Sequence, residues 1–172
     1  MIYRNLLVLL LITFSTIVLG QPIYDVKPEY PVLDLQDKYL IAIDSNDTFT
    51  PEQVLSDSTL GFFKRSSFPQ FLEPNTTYWA KFQLQTTDSL TNWALHLENR
   101  GLKFPVWGIS NGKVDVFAYA NNQLLFHRKT GVDYPKEIRD IPDRWFINRV
   151  SLGGLPLNQI ITFVIRAEDN SL

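Results

Sequence analysis

Cysteine is absent from this sequence of 172 residues, and histidine occurs only twice. Without cysteine the chain cannot form disulfides, carry a lipid on a cysteine or bind a metal through thiolates. The chain also has no HExxH motif, no GxSxG motif and no glycine-rich phosphate loop, the motifs of metallohydrolases, serine hydrolases and nucleotide-binding proteins. These absences predict a protein that is not an enzyme and that has no cofactor and no metal.

Neither sign of charge dominates the chain. Lysine and arginine number 16 against 18 aspartates and glutamates, which gives a formal net charge of -2. Binding to nucleic acid or to an anionic membrane surface is therefore not expected. Acidic residues are nevertheless plentiful, so a glycosidase with paired carboxylates stays open as a minor alternative. Asp44, Asn46 and Asp47 offer oxygen atoms at loop spacing, but no EF-hand pattern follows, and we interpret them as a plain turn.

Long apolar runs are confined to the start of the chain. Arg4 precedes a nearly continuous apolar stretch over residues 6–19. This order is typical of a secretory signal peptide, here residues 1–20, with cleavage expected after Gly20. An uncleaved anchor is the competing interpretation, but a membrane span needs about 20 apolar residues and this run is shorter. We therefore predict an exported protein whose mature part, about 150 residues long, has one core.

The clearest pattern in the mature part is the alternation in residues 78–84, YWAKFQL. Successive side chains of a strand point in opposite directions, so this stretch predicts a strand with two different faces. One face would carry Tyr78, Ala80, Phe82 and Leu84, and the other would carry Trp79, Lys81 and Gln83. The first set suits a core, whereas the second presents an aromatic ring, a cation and an amide.

Further short strands follow at regular intervals. They are predicted at residues 38–43, 92–98, 113–120, 123–129, 144–152 and 160–167. Asn121 and Asn122 separate two of them and predict a tight hairpin turn, because asparagine tolerates the positive φ that such turns require. Many short strands with hardly any helix predict an all-β fold, an antiparallel β-sandwich of jelly-roll type over residues 37–169.

The segments before and between these strands are less regular. Residues 21–36 contain three prolines and predict an extended lead-in to the domain. Thr50 followed by Pro51 predicts the N-cap and first turn of one short N-terminal helix. Residues 60–71 are rich in aromatic side chains without a period, and we expect irregular chain packed across the end of a sheet, with a turn at residues 73–75.

The order of the segments carries a family likeness. In chain order they are LIAIDSNDTFTPEQV at residues 40–54, YWAKFQL at 78–84, WALHLEN at 93–99, KVDVFAY at 113–119, HRKTG at 127–131, Pro135, Arg139 and ITFVIRAED at 161–169. The ordered set resembles the periplasmic sensor domain, second type, of bacterial seven-transmembrane receptors with diverse intracellular signalling modules. The resemblance covers about residues 32–169, which is nearly the whole mature chain.

The resemblance implies a jelly-roll sandwich similar to carbohydrate-binding modules. It implies a periplasmic location and attachment to the membrane, with a ligand signal passed to a membrane helix bundle and a cytoplasmic output domain. Those parts would lie beyond residue 172 if the chain is a fragment. The chain departs from the family pattern in the long connection RGLKFPVWGISNG at residues 100–112, and the helix bundle is missing from it.

Sugar recognition uses aromatic planes that stack on pyranose rings and a few polar groups that bond hydroxyls. The candidate residues of such a surface are Trp79, Lys81, Gln83, His96, Glu98 and Tyr119. The alternative is that Trp79 packs under residues 60–71, which would make this side of the strand a second layer of core.

Two further regions contribute candidate ligand-binding residues. Trp107 lies in the long connection, where an exposed ring would cover a site or meet a partner. Residues 130–144 are densely charged, and Arg128 and Arg139 beside and within them are planar donors suited to carboxylates. The alternative for these charges is an ordinary solvated loop.

Three functional hypotheses follow. The first is a non-enzymatic sensor domain that binds a carbohydrate or a similar polar small molecule. The second is a structural or protein-interaction module that uses the same sheet face without a small ligand. The third and weakest is a small glycosidase.

Overall fold

The computed structural model describes residues 21–27, 29, 32–35, 38–57, 60–64, 76–97, 112–142 and 148–169. The predicted signal peptide and the turn at residues 73–75 lie outside these residues. The described chain is mostly β-strand, with one short α-helix. Its elements are β1 Ile23–Val26, β2 Leu40–Asp44, α1 Pro51–Ser56, β3 Phe63–Lys64, β4 Thr76–Thr86, β5 Ala94–Leu97, β6 Lys113–Ala120, β7 Gln123–Thr130, a 3-10 turn at Lys136–Ile138, β8 Asn148–Ser151 and β9 Ile160–Asp169. None of the described helices is both long enough and apolar enough to span a membrane.

Seven strands form one sheet in the order β3-β2-β4-β9-β6-β7, with β1 also paired to β4. Strand β4 is long enough to hold two strands on one edge. β2 pairs antiparallel with its first half, and β1 pairs parallel with its second half, from Ile23 beside Gln83 to Val26 beside Thr86. The predicted extended lead-in therefore contributes a strand to the sheet. β5 and β8 form a separate two-stranded sheet.

The two faces of the large sheet are both covered. On one face, Phe82, Val116 and Phe163 share a buried cluster with Leu95 of β5 and Val150 of β8, so the small sheet packs there. On the other face, Val54 of α1 is fully buried in a second cluster. We term this second side the helix face. The mainly β composition is confirmed, while the jelly-roll sandwich stays a prediction.

The predicted helix start is confirmed in detail. The Thr50 hydroxyl accepts a hydrogen bond from the Gln53 backbone N–H at 3.3 Å, and the Gln53 side-chain oxygen accepts one from the Thr50 N–H at 2.8 Å. This capping box satisfies two amide groups that would otherwise lack partners. A helix of six residues is marginal alone, so contacts with the sheet must hold it in place.

The predicted hairpin between β6 and β7 is also confirmed. Asn121 and Asn122 have φ values of 49° and 62°, as a type I′ turn requires. β6 has the predicted bounds, β7 is one residue longer than predicted, and β5 covers only Ala94–Leu97 of the predicted 92–98. The register between β6 and β7 shifts between Ala118 and Tyr119, a bulge that leaves Leu125 without a cross-strand partner.

Candidate functional site

Trp79 lies inside the protein. Its side chain is fully buried on the helix face, in one cluster with Val54, Tyr119 and Val164. The indole Nε1 donates a hydrogen bond to Oδ2 of Asp44 at 3.2 Å. The expectation that this ring stacks on a sugar is therefore wrong for this structure, because a buried ring has no face to offer. The alternative agrees with the described residues, since Leu60 and Phe62 pack against the same cluster.

Asp44 organises the turn between β2 and α1. Its carboxylate is buried and accepts hydrogen bonds from the backbone N–H groups of Thr48 at 2.9 Å and Phe49 at 2.8 Å, besides the bond from Trp79. Hydrogen bonds within the protein thus satisfy the Asp44 carboxylate. This agrees with the interpretation of these residues as a plain turn. No group of three or more histidine and acidic residues placed to hold a metal occurs in the part of the chain that the structure describes.

Lys81 bonds the end of helix α1, the helix that covers Trp79. Its ammonium Nζ donates to the carbonyl oxygens of Val54 at 3.0 Å and Leu55 at 2.6 Å, and it lies 5.7 Å from the centre of the Phe62 ring. These carbonyls belong to the last turn of α1, where backbone acceptors lack intrahelical donors and the helix dipole favours a cation. Burial lowers the pKa of the Lys81 ammonium. The predicted ligand-binding cation is therefore engaged within the protein.

Tyr119 fixes the opposite end of the same helix. The side chain is buried, and its hydroxyl donates a hydrogen bond to Oε1 of Glu52 at 3.2 Å. Burial, together with the negative charge of Glu52 and this hydrogen bond, raises the pKa of Tyr119 from 10.0 to about 12. Lys81 on β4 and Tyr119 on β6 thus hold the two ends of α1 across the sheet.

The raised pKa of Tyr119 leads to an expected loss of stability in alkali. A tyrosine whose folded pKa exceeds its unfolded pKa stabilises the protein fully below pH 10.0, and this contribution is lost as the pH rises toward about 12. At roughly 1.4 kcal/mol per pKa unit, the loss amounts to about 2 to 3 kcal/mol. Urea unfolding between pH 9 and 12 measures it.

The matched variant for this measurement is Tyr119→Phe, which removes the titrating group and keeps the ring. Tyr134 and Lys81 are unchanged in it, so their own pH dependence cancels in the comparison. We expect a smaller fall in the free energy of unfolding for the variant than for the parent over the same range. Equal slopes would contradict the assignment.

Gln83 is the member of the predicted face that stays accessible. Its side chain is half-buried, and its amide nitrogen donates to the hydroxyl of Thr162 at 3.2 Å. Cross-strand register places five side chains of the helix face in one line, namely Ile23, Gln83, Thr162, Tyr119 and Leu124. We term this line the open row; its fourth member, Tyr119, is buried beneath helix α1 and separates Leu124 from the accessible Gln83 and Thr162. Ile23 and Leu124 at its two ends are 46% and 52% exposed.

The remaining predicted residues do not join the open row. His96 is exposed on β5, beside Arg149 of β8 in the small sheet. Because the neighbouring Leu95 faces the core, His96 points away from it and lies far from the helix face. Glu98 and Trp107 lie outside the described residues.

Arg128 and Arg139 bond backbone carbonyls. Arg128 donates to the carbonyls of Ser151 at 2.5 Å and Gly153 at 3.0 Å, and its guanidinium lies 4.2 Å from the centre of the Phe126 ring. Arg139 donates to the carbonyls of Val132 and Tyr134, both at 2.9 Å. Both arginines therefore use their donors on backbone carbonyls within the protein. The expectation that they bind a ligand carboxylate is not supported.

A charged cluster that the sequence pattern did not predict lies on the helix face, at the end opposite Gln83. Arg166 of β9 donates a hydrogen bond to Asp47 at 2.7 Å and lies 2.5 Å from the Glu168 carboxylate. The Asp115 carboxylate lies 4.0 Å from Arg166, and the Lys113 ammonium lies 3.6 Å from Glu168. We term these five residues the Arg166 network. Burial lowers the pKa of Arg166, but its bonds to Asp47 and Glu168 raise that pKa by more. The bond from Arg166 lowers the pKa of Asp47.

Asp115 connects this network to β7 and to the following loop. Its buried carboxylate lies 2.5 Å from Nε2 of His127 and accepts a hydrogen bond from the Tyr134 hydroxyl at 2.6 Å. The His127 ring stacks on Phe117 with the ring centres 4.3 Å apart. The pKa of Tyr134 is raised, chiefly by burial and by its bond to Asp115. Alternation alone places Asp115 and Arg166 on strand faces, but only the pairing register brings them together.

Comparison with known proteins adds one positive finding. The sequence model described as 7TMR-DISM extracellular 2 matches residues 36–172. This range contains β2 to β9 and the helix, and it agrees with the resemblance carried by the ordered strand segments. A search of curated protein sequences finds no significant match.

Proposed function

Because the chain belongs to the 7TMR-DISM extracellular 2 family of membrane-receptor domains, we propose that it is a periplasmic sensor domain that binds an uncharged polar small molecule, such as a carbohydrate, on the open row. The membrane helix bundle and the cytoplasmic output domain of the receptor would receive the signal.

The observation that supports this location is the partial cover of the helix face. Helix α1 closes the face above Trp79 and Lys81, while Gln83 and Thr162 beside them stay half-accessible. An amide and a hydroxyl that already bond each other can exchange further hydrogen bonds with ligand hydroxyls. Ile23 at the near end of the row, with Ile160 at 43% exposure on the same face, offers apolar contact to the face of a sugar ring.

The signal would pass through the contacts of α1. Ligand on the open row touches the side of the sheet where Tyr119 holds Glu52. The turn before α1 carries Asp47, which Arg166 ties to the last part of β9. A ligand that prefers one position of α1 shifts the population toward the matching arrangement of β9.

A protein-interaction module is the second candidate, favoured by the exposed Ile23, Leu124 and Ile160 on the same face. A glycosidase has less support. Three acidic side chains of the helix face, Asp47, Asp115 and Glu168, are bonded to Arg166, His127 or Tyr134, so none of these three is a free carboxylate suited to an acid and base pair.

Glycan-array screening followed by calorimetric titration tests the proposal. The double variant Gln83→Ala, Thr162→Ala is expected to lose at least about tenfold in affinity for any glycan that binds, because two neutral hydrogen-bonding groups are removed. Lys136→Ala, in the exposed 3-10 turn, is the matched control and is expected to bind as the parent does.

His96→Ala discriminates between the two sheets. Loss of binding in this variant, with unchanged binding in the double variant, would move the ligand site to the small sheet and contradict the open row. Capture of a partner protein through the open row, with no glycan bound, would favour the second candidate.

A further inference from the structure

We propose that Gln21 is the amino-terminal residue of the exported protein and that the folded sheet holds its side-chain amide against β4, where the residue resists cyclisation to pyroglutamate. This inference goes beyond the proposed function, because it concerns the maturation of the chain rather than its ligand. It depends on the position of strand β1 and not on the open row.

The predicted cleavage site lies just before strand β1. Cleavage after Gly20 would leave Gln21 and Pro22 ahead of Ile23, the first residue of β1. An amino-terminal glutamine is chemically labile, because its free α-amino nitrogen can attack the side-chain Cδ. A C–N bond then forms to give a five-membered lactam, the bond from Cδ to Nε2 breaks, and ammonia leaves. The fate of the terminus therefore depends on where the fold holds this amide.

The pairing register places Gln21 beside Lys81 of β4. Strand β1 runs parallel to β4 with Ile23 beside Gln83, so two residues earlier the chain reaches the level of Lys81. There the Gln21 side-chain Nε2 donates a hydrogen bond to the Lys81 carbonyl oxygen, and the Gln21 side chain is half-buried. The amide of the expected terminus is thus bound to the sheet.

The edge of β4 to which β1 is paired is occupied by another strand beyond this point. β2 pairs with the first half of β4, and its first residue, Leu40, also lies beside Lys81. A chain that extended β1 backward past Gln21 in register would therefore meet β2. Pro22 has no N–H to donate, so it suits the point at which the pairing of β1 stops. This edge accommodates a chain that begins at Gln21, whereas a longer chain must leave the sheet there.

Strand β1 is anchored in the core behind the terminus. Val26 is 2% exposed and belongs to the large buried cluster, against which Tyr24 also packs. The Thr86 hydroxyl donates to the Val26 carbonyl oxygen at 3.4 Å. Cyclisation expels Nε2 of Gln21, so it cannot proceed without loss of the bond to Lys81. We therefore expect the rate to follow the fraction of molecules in which the terminus is undocked.

The experiment uses the full chain, expressed with its own signal peptide in a bacterial host and purified from the periplasm. Mass spectrometry of the intact protein and of its amino-terminal peptide identifies the first residue and the mass decrease that accompanies loss of ammonia. We expect fresh protein to begin at Gln21 with an uncyclised glutamine. On incubation we expect it to cyclise at least about fivefold more slowly than a free peptide of residues 21–26 in the same buffer, the factor that about one hydrogen bond corresponds to.

Variants of the β1 anchor make the role of the sheet testable. Val26→Asp places a charge in the core, and we expect it to bring the cyclisation rate to within about twofold of the rate of the peptide. Val26→Ala is the milder variant, with an expected rate between those of the parent and the peptide, and its urea unfolding midpoint shows that the domain is still folded. Asp25→Asn, at an exposed position of the same strand, is the matched control and is expected to keep the rate of the parent.

Three results would overturn the inference. An exported protein that begins at another residue would contradict the assignment of Gln21 as the terminus. A cyclisation rate equal to that of the peptide, or a terminus already cyclised in fresh protein, would show that the sheet does not protect the amide. A folded Val26→Ala protein that cyclises no faster than the parent would show that β1 is not the cause of the protection. None of these results bears on glycan binding, so the proposed function stands or fails separately.

Discussion

Replacing Trp79 with alanine is expected to unfold much of the domain rather than to remove one surface contact. The indole is fully buried, and it fills the space between the sheet and Val54 of helix α1. Truncation of a buried tryptophan costs about 3 to 5 kcal/mol, because it removes apolar contacts and leaves a cavity. That is a large part of the total stability of about 5 to 15 kcal/mol that a domain of this kind has.

Urea unfolding followed by circular dichroism measures this effect. Trp79→Phe is the graded comparison, since it keeps an aromatic ring while it removes the indole donor to Asp44 and part of the ring volume. We expect it to cost about 1.5 to 3 kcal/mol, the range for a lost bond to a charged group, which is less than the cost of Trp79→Ala. Leu124→Ala, at an exposed position, is the control and is expected to stay within about 0.5 kcal/mol of the parent.

The result that contradicts this account is a Trp79→Ala protein with an unchanged unfolding midpoint. It would mean that the ring is accessible after all and that the helix face can serve as an aromatic platform. A variant that is folded but loses glycan binding would point the same way.

Replacing Arg166 with methionine is expected to produce the second large loss of stability. The guanidinium is 18% exposed and bonds Asp47 at 2.7 Å and Glu168 at 2.5 Å, with the buried Asp115 close by. Its removal leaves three carboxylates of like charge near one another without their shared cation. Breaking a buried ion pair costs about 3 to 5 kcal/mol, and the 57% exposure of Asp47 reduces our expectation to about 2 to 4 kcal/mol.

The pH dependence of this loss identifies its cause. Arg166 holds the folded pKa of Asp47 below the ordinary value of 3.8. A lowered folded pKa stabilises the protein above the unfolded pKa, and this contribution is lost as the pH falls through the folded pKa. The difference in unfolding free energy between parent and Arg166→Met is therefore expected to be largest near pH 7 and to shrink below pH 3.8.

Lys136→Met is the matched control, because it removes one exposed positive charge from the 3-10 turn. We expect it to change stability by less than about 0.5 kcal/mol at either pH. An Arg166→Met protein that is as stable as this control would show that the Arg166 network is an ordinary surface cluster. A loss that does not change with pH would assign the effect to packing of the arginine stem.

Several elements follow from local sequence alone. The bounds of β6, the positive φ of Asn121 and Asn122, and the capping box of Thr50 all depend on residues within one strand or one turn. Backbone preference and short-range hydrogen bonds decide such features, so the residues that specify them are adjacent in the chain. The family assignment also needed only the order of these segments.

The candidate site could be predicted only in part from the sequence. The alternation of residues 78–84 correctly separates Trp79, Lys81 and Gln83 from the other side chains, and Gln83 remains in the proposed site. The roles of Arg128 and Arg139 depend on carbonyls brought near by folding, such as those of Ser151 and Val132. The Arg166 network joins Asp47 to a strand 119 positions later, which no local pattern can reveal.

The sequence by itself thus determined the strand series, the hairpin, the start of α1 and the side of β4 on which each residue lies. Only the tertiary structure decided that α1 covers Trp79 and Lys81 and stops short of Gln83. The physical reason is that a period of two specifies opposite faces of a strand, while exposure depends on what packs against each face. That cover is set by contacts such as Tyr119 with Glu52, between residues distant in the chain.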